Sequence, residues 1–140
     1  IETKTDPRGD DIFHPKPEVF VDTLAGIIQE KGIADRTVIQ SFDLRTLQVA
    51  HEKYPNIKLA LLVGDTTSTD VYLDSLGFTP YIYSCRYTLL DEAAVSEIKA
   101  KGMKIVPWTV NEPADIEKMI SWGVDGIISD YPDRVIAARK

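Results

Sequence analysis

An α/β fold of parallel βα units, wound on a sheet or a barrel, is what the sequence predicts. Three observations predict it. Short β-rich runs alternate with amphipathic helical stretches at roughly 20- to 30-residue spacing, the rhythm of βα repeats. Four helical stretches are each followed by a glycine placed as a stop: Gly32, Gly77, Gly102 and Gly123. The run Ile57 to Val63 is dense enough in apolar residues to be covered on both faces, as strands of a parallel sheet are.

Six such units follow one another along the chain. Ile1-Glu2-Thr3-Lys4-Thr5 is strand-like, and the chain opens on it in mid-strand without a starting Met. A polar loop with Pro7, Gly9, Pro15 and Pro17 leads to a helix from Glu18 to Lys31. Its Phe20, Leu24, Ile27 and Ile28 recur at helical spacing and predict the buried stripe. Thr37 to Phe42 reads as the second strand, and Asp43 as the N-cap of a helix ending at Tyr54, before Pro55. Leu44, Leu47 and Tyr54 form its inward stripe.

After the third strand at Ile57 to Val63, the loop Asp65-Thr66-Thr67-Ser68-Thr69 reads as turn and N-cap chemistry rather than as a modification site. A short helix then runs to Gly77. Tyr81 to Cys85 is the fourth strand, and Asp91 to Lys101 the fourth helix, with Val95 and Ile98 inward. Lys104 to Val110 is the fifth strand, provided Pro107 sits where its missing N–H is not needed. Asn111 is placed as the cap of the next helix, with Pro113 in its first turn. Asp125 to Asp130 is the sixth strand, and Pro132 opens a closing helix carrying Val135 and Ile136.

Composition narrows the functions. The 140 residues suit one domain and are too few for two, with 44% hydrophobic and 27% charged residues excluding disordered and fibrous classes. A chain of this size buries about 70% of its unfolded surface, so it needs no disulfide framework, and the lone Cys85 supplies none. A net charge of −6 has the wrong sign for gripping a polyanion, which argues against nucleic acid as a partner. The longest aliphatic run, Leu59 to Val63, is far short of a membrane span.

In parallel βα architectures, reactive groups gather where strands end and the next loops begin. Polar residues there are Glu2, Lys4, Ser41, Asp43, Trp108 by its indole N–H, Asn111 and Asp130. Glu2 and Lys4 alternate with Ile1 and Thr3, so both point to one side of their strand. An acid and an ammonium so placed either neutralise one another or form a metal-binding carboxylate beside a phosphate-binding lysine. His14, in a proline-flanked loop, and His51, beside Glu52 and Lys53, read as surface residues. Cys85 has no histidine near it in sequence and reads as a buried thiol, not a nucleophile. No Gly-rich phosphate loop, zinc spacing or nucleophile elbow occurs.

Taken in order, Ile1-Glu2-Thr3-Lys4, Gln40-Ser41-Phe42-Asp43, Pro107-Trp108-Thr109-Val110-Asn111 and Gly123-Val124-Asp125-Gly126-Ile127-Ile128-Ser129-Asp130 resemble the glycerophosphodiester phosphodiesterase family. The resemblance runs from Ile1 to about Asp133, within a single domain over residues 1–140. It implies a TIM-type barrel that hydrolyses glycerophosphodiesters to an alcohol and glycerol 3-phosphate with a divalent cation, Ca²⁺ or Mg²⁺. By motif, Glu2 resembles the family's late metal-ligand glutamate and Lys4 the lysine facing the substrate phosphate. Trp108 resembles the aromatic residue at the barrel mouth, set to pack on the glycerol carbons. Phe42 either lines the same pocket or belongs to the core, and Asn111 and Asp130 read as helix N-caps before substrate contacts.

The same resemblance implies departures. The family's His-Arg motif, its Glu-x-Asp metal pair and its second histidine, in a His-Asp motif, have no counterpart here, and neither His14 nor His51 matches them. About six of eight barrel strands are accounted for. The expectation is a partial barrel, the C-terminal part of a longer phosphodiesterase, inactive by itself. Its open edges expose apolar surface and unpaired backbone, and call for a homo-oligomer or a strand-exchanged assembly to cover them. The alternative is a non-catalytic binding or oligomerisation module.

Overall fold

The computed structural model describes residues 1–139; residue 140 lies outside it. Four parallel strands form one sheet in the order of the sequence: β1 (Val38–Ser41), β2 (Lys58–Val63), β3 (Ile82–Cys85) and β4 (Lys104–Ile105). Between and around them run α1 (Pro17–Glu30), α2 (Leu44–Lys53), α3 (Thr69–Leu76), α4 (Glu92–Ala100), α5 (Pro113–Ser121) and α6 (Pro132–Ala138). The register sets Ser41 beside Leu61, Val63 beside Cys85, and Tyr83 beside Ile105, so all the strands end on the same side.

The two outermost segments differ from expectation. Residues 1–5 make a single parallel bridge, Glu2 to Gln40, with Gln40 N–H donating to the Ile1 carbonyl at 2.8 Å and Thr3 N–H to the Gln40 carbonyl at 2.9 Å. Residues 125–130 form no regular strand, yet they bond alongside the fifth segment: Asp125 N–H reaches the Ile105 carbonyl at 2.8 Å and Ile128 N–H the Pro107 carbonyl at 2.9 Å. The predicted six-strand order therefore survives as spatial order, but its ends are loosely paired. Among the described residues each of these segments has one sheet neighbour. An edge with no second partner loses half its ladder, which is why regular strand geometry decays there. Pro107 is accommodated as predicted, since its neighbours Val106 and Trp108 donate to the Tyr83 and Cys85 carbonyls at 3.2 and 3.0 Å.

The core lies between the sheet and its helices. Ile39, Leu59, Leu61, Val63, Tyr83, Cys85 and Ile105 project from one face onto Leu47 and Ala50 of α2, Val21, Ala25 and Ile28 of α1, and Val95 and Ile98 of α4. A smaller cluster of Val110, Ile116 and Met119 sits under α5 and α6. Helix α1 is rotated from the predicted stripe. Val21, Ala25 and Ile28 are buried, whereas Ile27 is 50% exposed and Phe20 only half-covered. Val21, Ala25 and Ile28 recur at helical spacing along the face that packs into the core beside α2, so a helix turned this way leaves Ile27 at its margin.

Capping follows sequence rules in the middle of the chain. Asp43, Ser68 and Asp91 each accept a backbone N–H of the helix they open. Gly77 closes α3 with a φ of +81°, a conformation that residues with a Cβ rarely adopt. Asn111 and Asp130 are corrections, because α5 begins from Glu112 and α6 from Tyr131, neither with a side-chain cap. Asn111 Nδ2 instead donates to Asp130 at 2.8 Å, and its Oδ1 accepts from Ser129 Oγ and Asp130 N–H. These bonds lace the fifth segment to the sixth where the backbone ladder thins out.

Candidate functional site

Side-chain parity on the first segment places the acid and the ammonium. Thr3 is 1% exposed and shares a 3.0 Å hydrogen bond between its Oγ1 and that of Thr46 on α2. Ser41 Oγ donates to the Thr3 carbonyl at 2.9 Å and accepts Asp43 N–H at 3.0 Å. With Thr3 turned to the helices, Glu2 and Lys4 must turn to the opposite face. There Lys4 Nζ donates to Glu2 Oε1 at 2.8 Å, the carboxylate 23% exposed and the ammonium 79%. The predicted shared face is therefore present, and in this structure the two groups neutralise one another.

A cavity of about 710 Å³ opens over this pair, lined also by Arg8, Phe13, His14 and Phe42. Phe42, half exposed, is not a core residue; its ring meets Trp108 edge-on, with centroids 5.6 Å apart at 84°. The two rings lie over the bare backbone of Gly64, where a Cβ would come within 3.6 Å of Phe42 and 3.7 Å of Trp108. The indole N–H of Trp108, counted among the polar groups at the strand ends, donates to the Ser84 carbonyl at 2.9 Å. With its N–H so engaged, what Trp108 leaves uncommitted is its ring, with the Arg86 guanidinium 5.8 Å from the ring centroid. Glu2, Lys4, Phe42 and Trp108 stand on one rim, at the C-terminal side of the parallel strands.

A clamp that nothing in the sequence announces ties the loop of residues 6–14 to α2. Arg45 on α2 donates to both oxygens of Asp10, at 2.6 and 3.2 Å, and to both oxygens of Asp43, the shortest at 2.7 Å. Asp10 and Arg45 are 35 positions apart, and nothing local marks them as partners. Hydrogen bonding from Arg45 holds the Asp10 carboxyl below the usual carboxylate range. Burial pushes Asp43 up, but bonds from Arg45 and Thr5 outweigh it and hold that carboxyl low as well. Arg45 is correspondingly raised above its ordinary value by its two carboxylates.

The histidines fall into different settings. His14, expected at the surface, is instead tucked into its loop at 11% exposure; its Nε2 accepts Asp6 N–H at 3.0 Å and its Nδ1 lies 3.0 Å from the Pro15 carbonyl. Both ring nitrogens are thereby spent on the loop. His51 is exposed as expected and stacks on Phe78, ring centroids 3.8 Å apart. Cys85 is buried as expected, and burial pushes its thiol up to about 12, which removes it as a nucleophile near neutrality.

The model of the glycerophosphoryl diester phosphodiesterase family matches residues 3–134. The chain belongs to this family. Among curated relatives it is 33% identical over 114 residues to a glycerophosphodiester phosphodiesterase of Bacillus altitudinis, covering 81% of this chain and 46% of that protein. A second, from Bacillus subtilis (strain 168), is 30% identical over 108 residues, covering 75% and 37%. Among solved structures, one assigned as a glycerophosphoryl diester phosphodiesterase of Silicibacter pomeroyi DSS-3 superposes with a TM-score of 0.83 at 27% identity, covering 98% of this chain and 48% of that one. The Oleispira antarctica phosphodiesterase OLEI02445, solved with its product sn-glycerol-3-phosphate, superposes with a TM-score of 0.78 at 22% identity, covering 98% and 53%.

The chain spans about half the length of these relatives, and its sheet is a part of a TIM-type barrel. Phosphodiesterases of this family are generally dependent on a divalent metal. The residues present do not by themselves fit one: Glu2 is a single carboxylate engaged with Lys4, and no group of three or more His, Cys, Asp or Glu side chains is set to hold an ion among the described residues. Hard cations need several oxygen ligands.

The clamp carries a pH prediction. Asp10 and Asp43 have depressed carboxyl pKa values in the folded chain, so their contribution to stability is present above about pH 4 and is lost as pH falls through the folded values. Urea unfolding of Arg45→Met is expected to show a deficit against the unsubstituted chain at pH 7 that shrinks at pH 3. An equal deficit at both pH values would contradict the clamp.

Proposed function

We propose that this chain supplies the phosphate- and glycerol-contacting wall of a site that hydrolyses glycerophosphodiesters to an alcohol and glycerol 3-phosphate. The observation that carries the reading is that, in a member of this family, the Glu2–Lys4 pair and the Phe42–Trp108 pair share one rim at the strand ends. Lys4, mostly exposed and held by one carboxylate, is placed to exchange Glu2 for a phosphate oxygen and to offset charge developing on it. The Trp108 and Phe42 ring faces offer an apolar shelf for the glycerol carbons. Glu2 would contribute one carboxylate towards a hard cation, Ca²⁺ or Mg²⁺, in a site completed by other residues.

Acid–base chemistry is not assigned to this chain. His14 has both nitrogens engaged and His51 lies against Phe78, away from the cavity lining. Calorimetry with glycerol 3-phosphate is expected to show binding that Lys4→Met weakens about tenfold, the worth of a charge-assisted hydrogen bond. Glycerophosphocholine should bind without being turned over. Unchanged affinity in Lys4→Met, or hydrolysis by the chain alone, would contradict the assignment.

A second reading, a non-catalytic binding or oligomerisation module, is favoured by the single sheet neighbour that residues 1–5 and residues 125–130 each have among the described residues. Exposed Ile1 and Ile128 lie on those segments. Covering such edges with a second copy would pair their backbone and bury the apolar side chains. Size-exclusion chromatography with light scattering is expected to report a dimer or larger assembly, whereas a stable monomer with a cooperative melt would exclude it.

A further inference from the structure

Phe13 is the most exposed large apolar side chain among the described residues, at 87%, yet the backbone beneath it is fastened throughout. The Gly9 carbonyl accepts the N–H groups of Ile12, Phe13 and His14 at 3.0, 2.9 and 3.4 Å. Asp11 turns the chain at a φ of +59°, and Asp11 N–H closes back on the His14 carbonyl at 2.8 Å. Gly9 lies so close to His14 that a Cβ would sit 2.6 Å from its Nε2. Arg45 holds the loop at Asp10 from outside. A loop this heavily bonded sets the backbone from which the phenyl ring projects, so the backbone part of the ordering cost of using that ring in binding has already been met.

The ring lines the cavity that holds Lys4 and Glu2, with Phe42 on the same lining and Trp108 packed against Phe42. If glycerol lies on Trp108 and Phe42 and phosphate on Lys4, the remaining wall of that cavity, built by residues 6–14, faces the other ester oxygen. Beside the phosphate lysine, the charges on that wall offset one another, Asp6 taking both the Nε and Nη2 donors of Arg8 at 3.0 and 3.2 Å, so the wall carries little net charge. His14 has no nitrogen to spare. The large apolar surface on this side is the aromatic face of Phe13.

We infer that Phe13 is a specificity-determining residue of the glycerophosphodiester site, its ring receiving the leaving alcohol and favouring one that carries a quaternary ammonium group. The inference rests on the function proposed above. A quaternary ammonium has no N–H to satisfy and a large, weakly hydrated surface, so an aromatic face within about 6 Å stabilises it without further partners. An inositol ring gains less from an aromatic face than from hydrogen-bond partners, and a serine carboxylate would have to displace Asp6 from Arg8.

Calorimetric titration of the 140-residue chain with glycerophosphocholine, glycerophosphoinositol and glycerol 3-phosphate tests it. Glycerophosphocholine is expected to bind about three- to fivefold more tightly than glycerophosphoinositol, the range of an exposed cation–π contact. Phe13→Ala should bring that ratio to about one and leave glycerol 3-phosphate affinity unchanged, while Phe13→Trp keeps the preference. A ratio that survives Phe13→Ala, or an equal loss for all three ligands, would overturn the inference and leave the parent reading standing. Failure of the unsubstituted chain to bind even glycerol 3-phosphate would overturn both. Association with phosphatidylcholine vesicles that Phe13→Ala abolishes, with glycerophosphocholine affinity intact, would reassign the ring to a membrane contact.

Discussion

The buried hydroxyl of Thr3, bonded to Thr46 on α2, holds the first segment in register, and the geometry of the site depends on that register. Two backbone hydrogen bonds to Gln40 and one from the Ile1 amine to the Val38 carbonyl tie residues 1–3 to β1, and so short a ladder with one sheet neighbour among the described residues slips easily unless side chains pin it. Thr3, Ser41 and Thr46, at most 1% exposed, do so with hydroxyls that find protein partners. A slip of one residue would carry Glu2 and Lys4 into the helix-facing core, where an ion pair costs more than it returns. It would also expose Thr3. Polar burial at this point therefore selects the face on which the charged pair emerges.

The opposite end of the rim obeys the same logic with different chemistry. Strand β4 is only two residues long, and what carries the chain onward to Trp108 is its alternate donation to β3. The indole N–H is spent on the Ser84 carbonyl, which fixes the ring over Gly64 and leaves Phe42 to close against it. Asn111, Ser129 and Asp130 then tie the outermost segment down with side chains, much as Thr3 and Ser41 do at the first edge. Both ends of this part-barrel rely on side-chain bonds where the ladder is one-sided.

Much of this was legible in the sequence because it is local. Asp43, Ser68 and Asp91 precede helical patterns and cap them, Gly77 stops one, and alternation alone put Glu2 and Lys4 on a common face. The ordered motifs around Glu2, Phe42, Trp108 and Asp130 led to the family, which fixed the barrel architecture that alternation left open between sheet and barrel. Distant partnerships were not legible: Arg45 with Asp10, and Thr3 with Thr46, are set by how α2 folds back over the first loop. Nor was the face of α1, since hydrophobicity favours Ile27 while the structure buries Ala25. Asn111 read as a cap because its type suits one, yet the structure uses the same amide across strands. Phe13 carried no signal, as an aromatic residue in a loop is neither periodic nor part of a motif.

In the proposed site, residues 2–4, 42 and 108 converge on one ligand through the parallel register. Amide and indole NMR shifts of the chain during titration with glycerol 3-phosphate test it most directly. Perturbations should concentrate at Lys4, Phe42 and the Trp108 indole N–H, with the opposite ends of the strands, around Lys58 and Lys104, silent. Shifts confined to those opposite ends, or to one member of the rim without the others, would contradict the account.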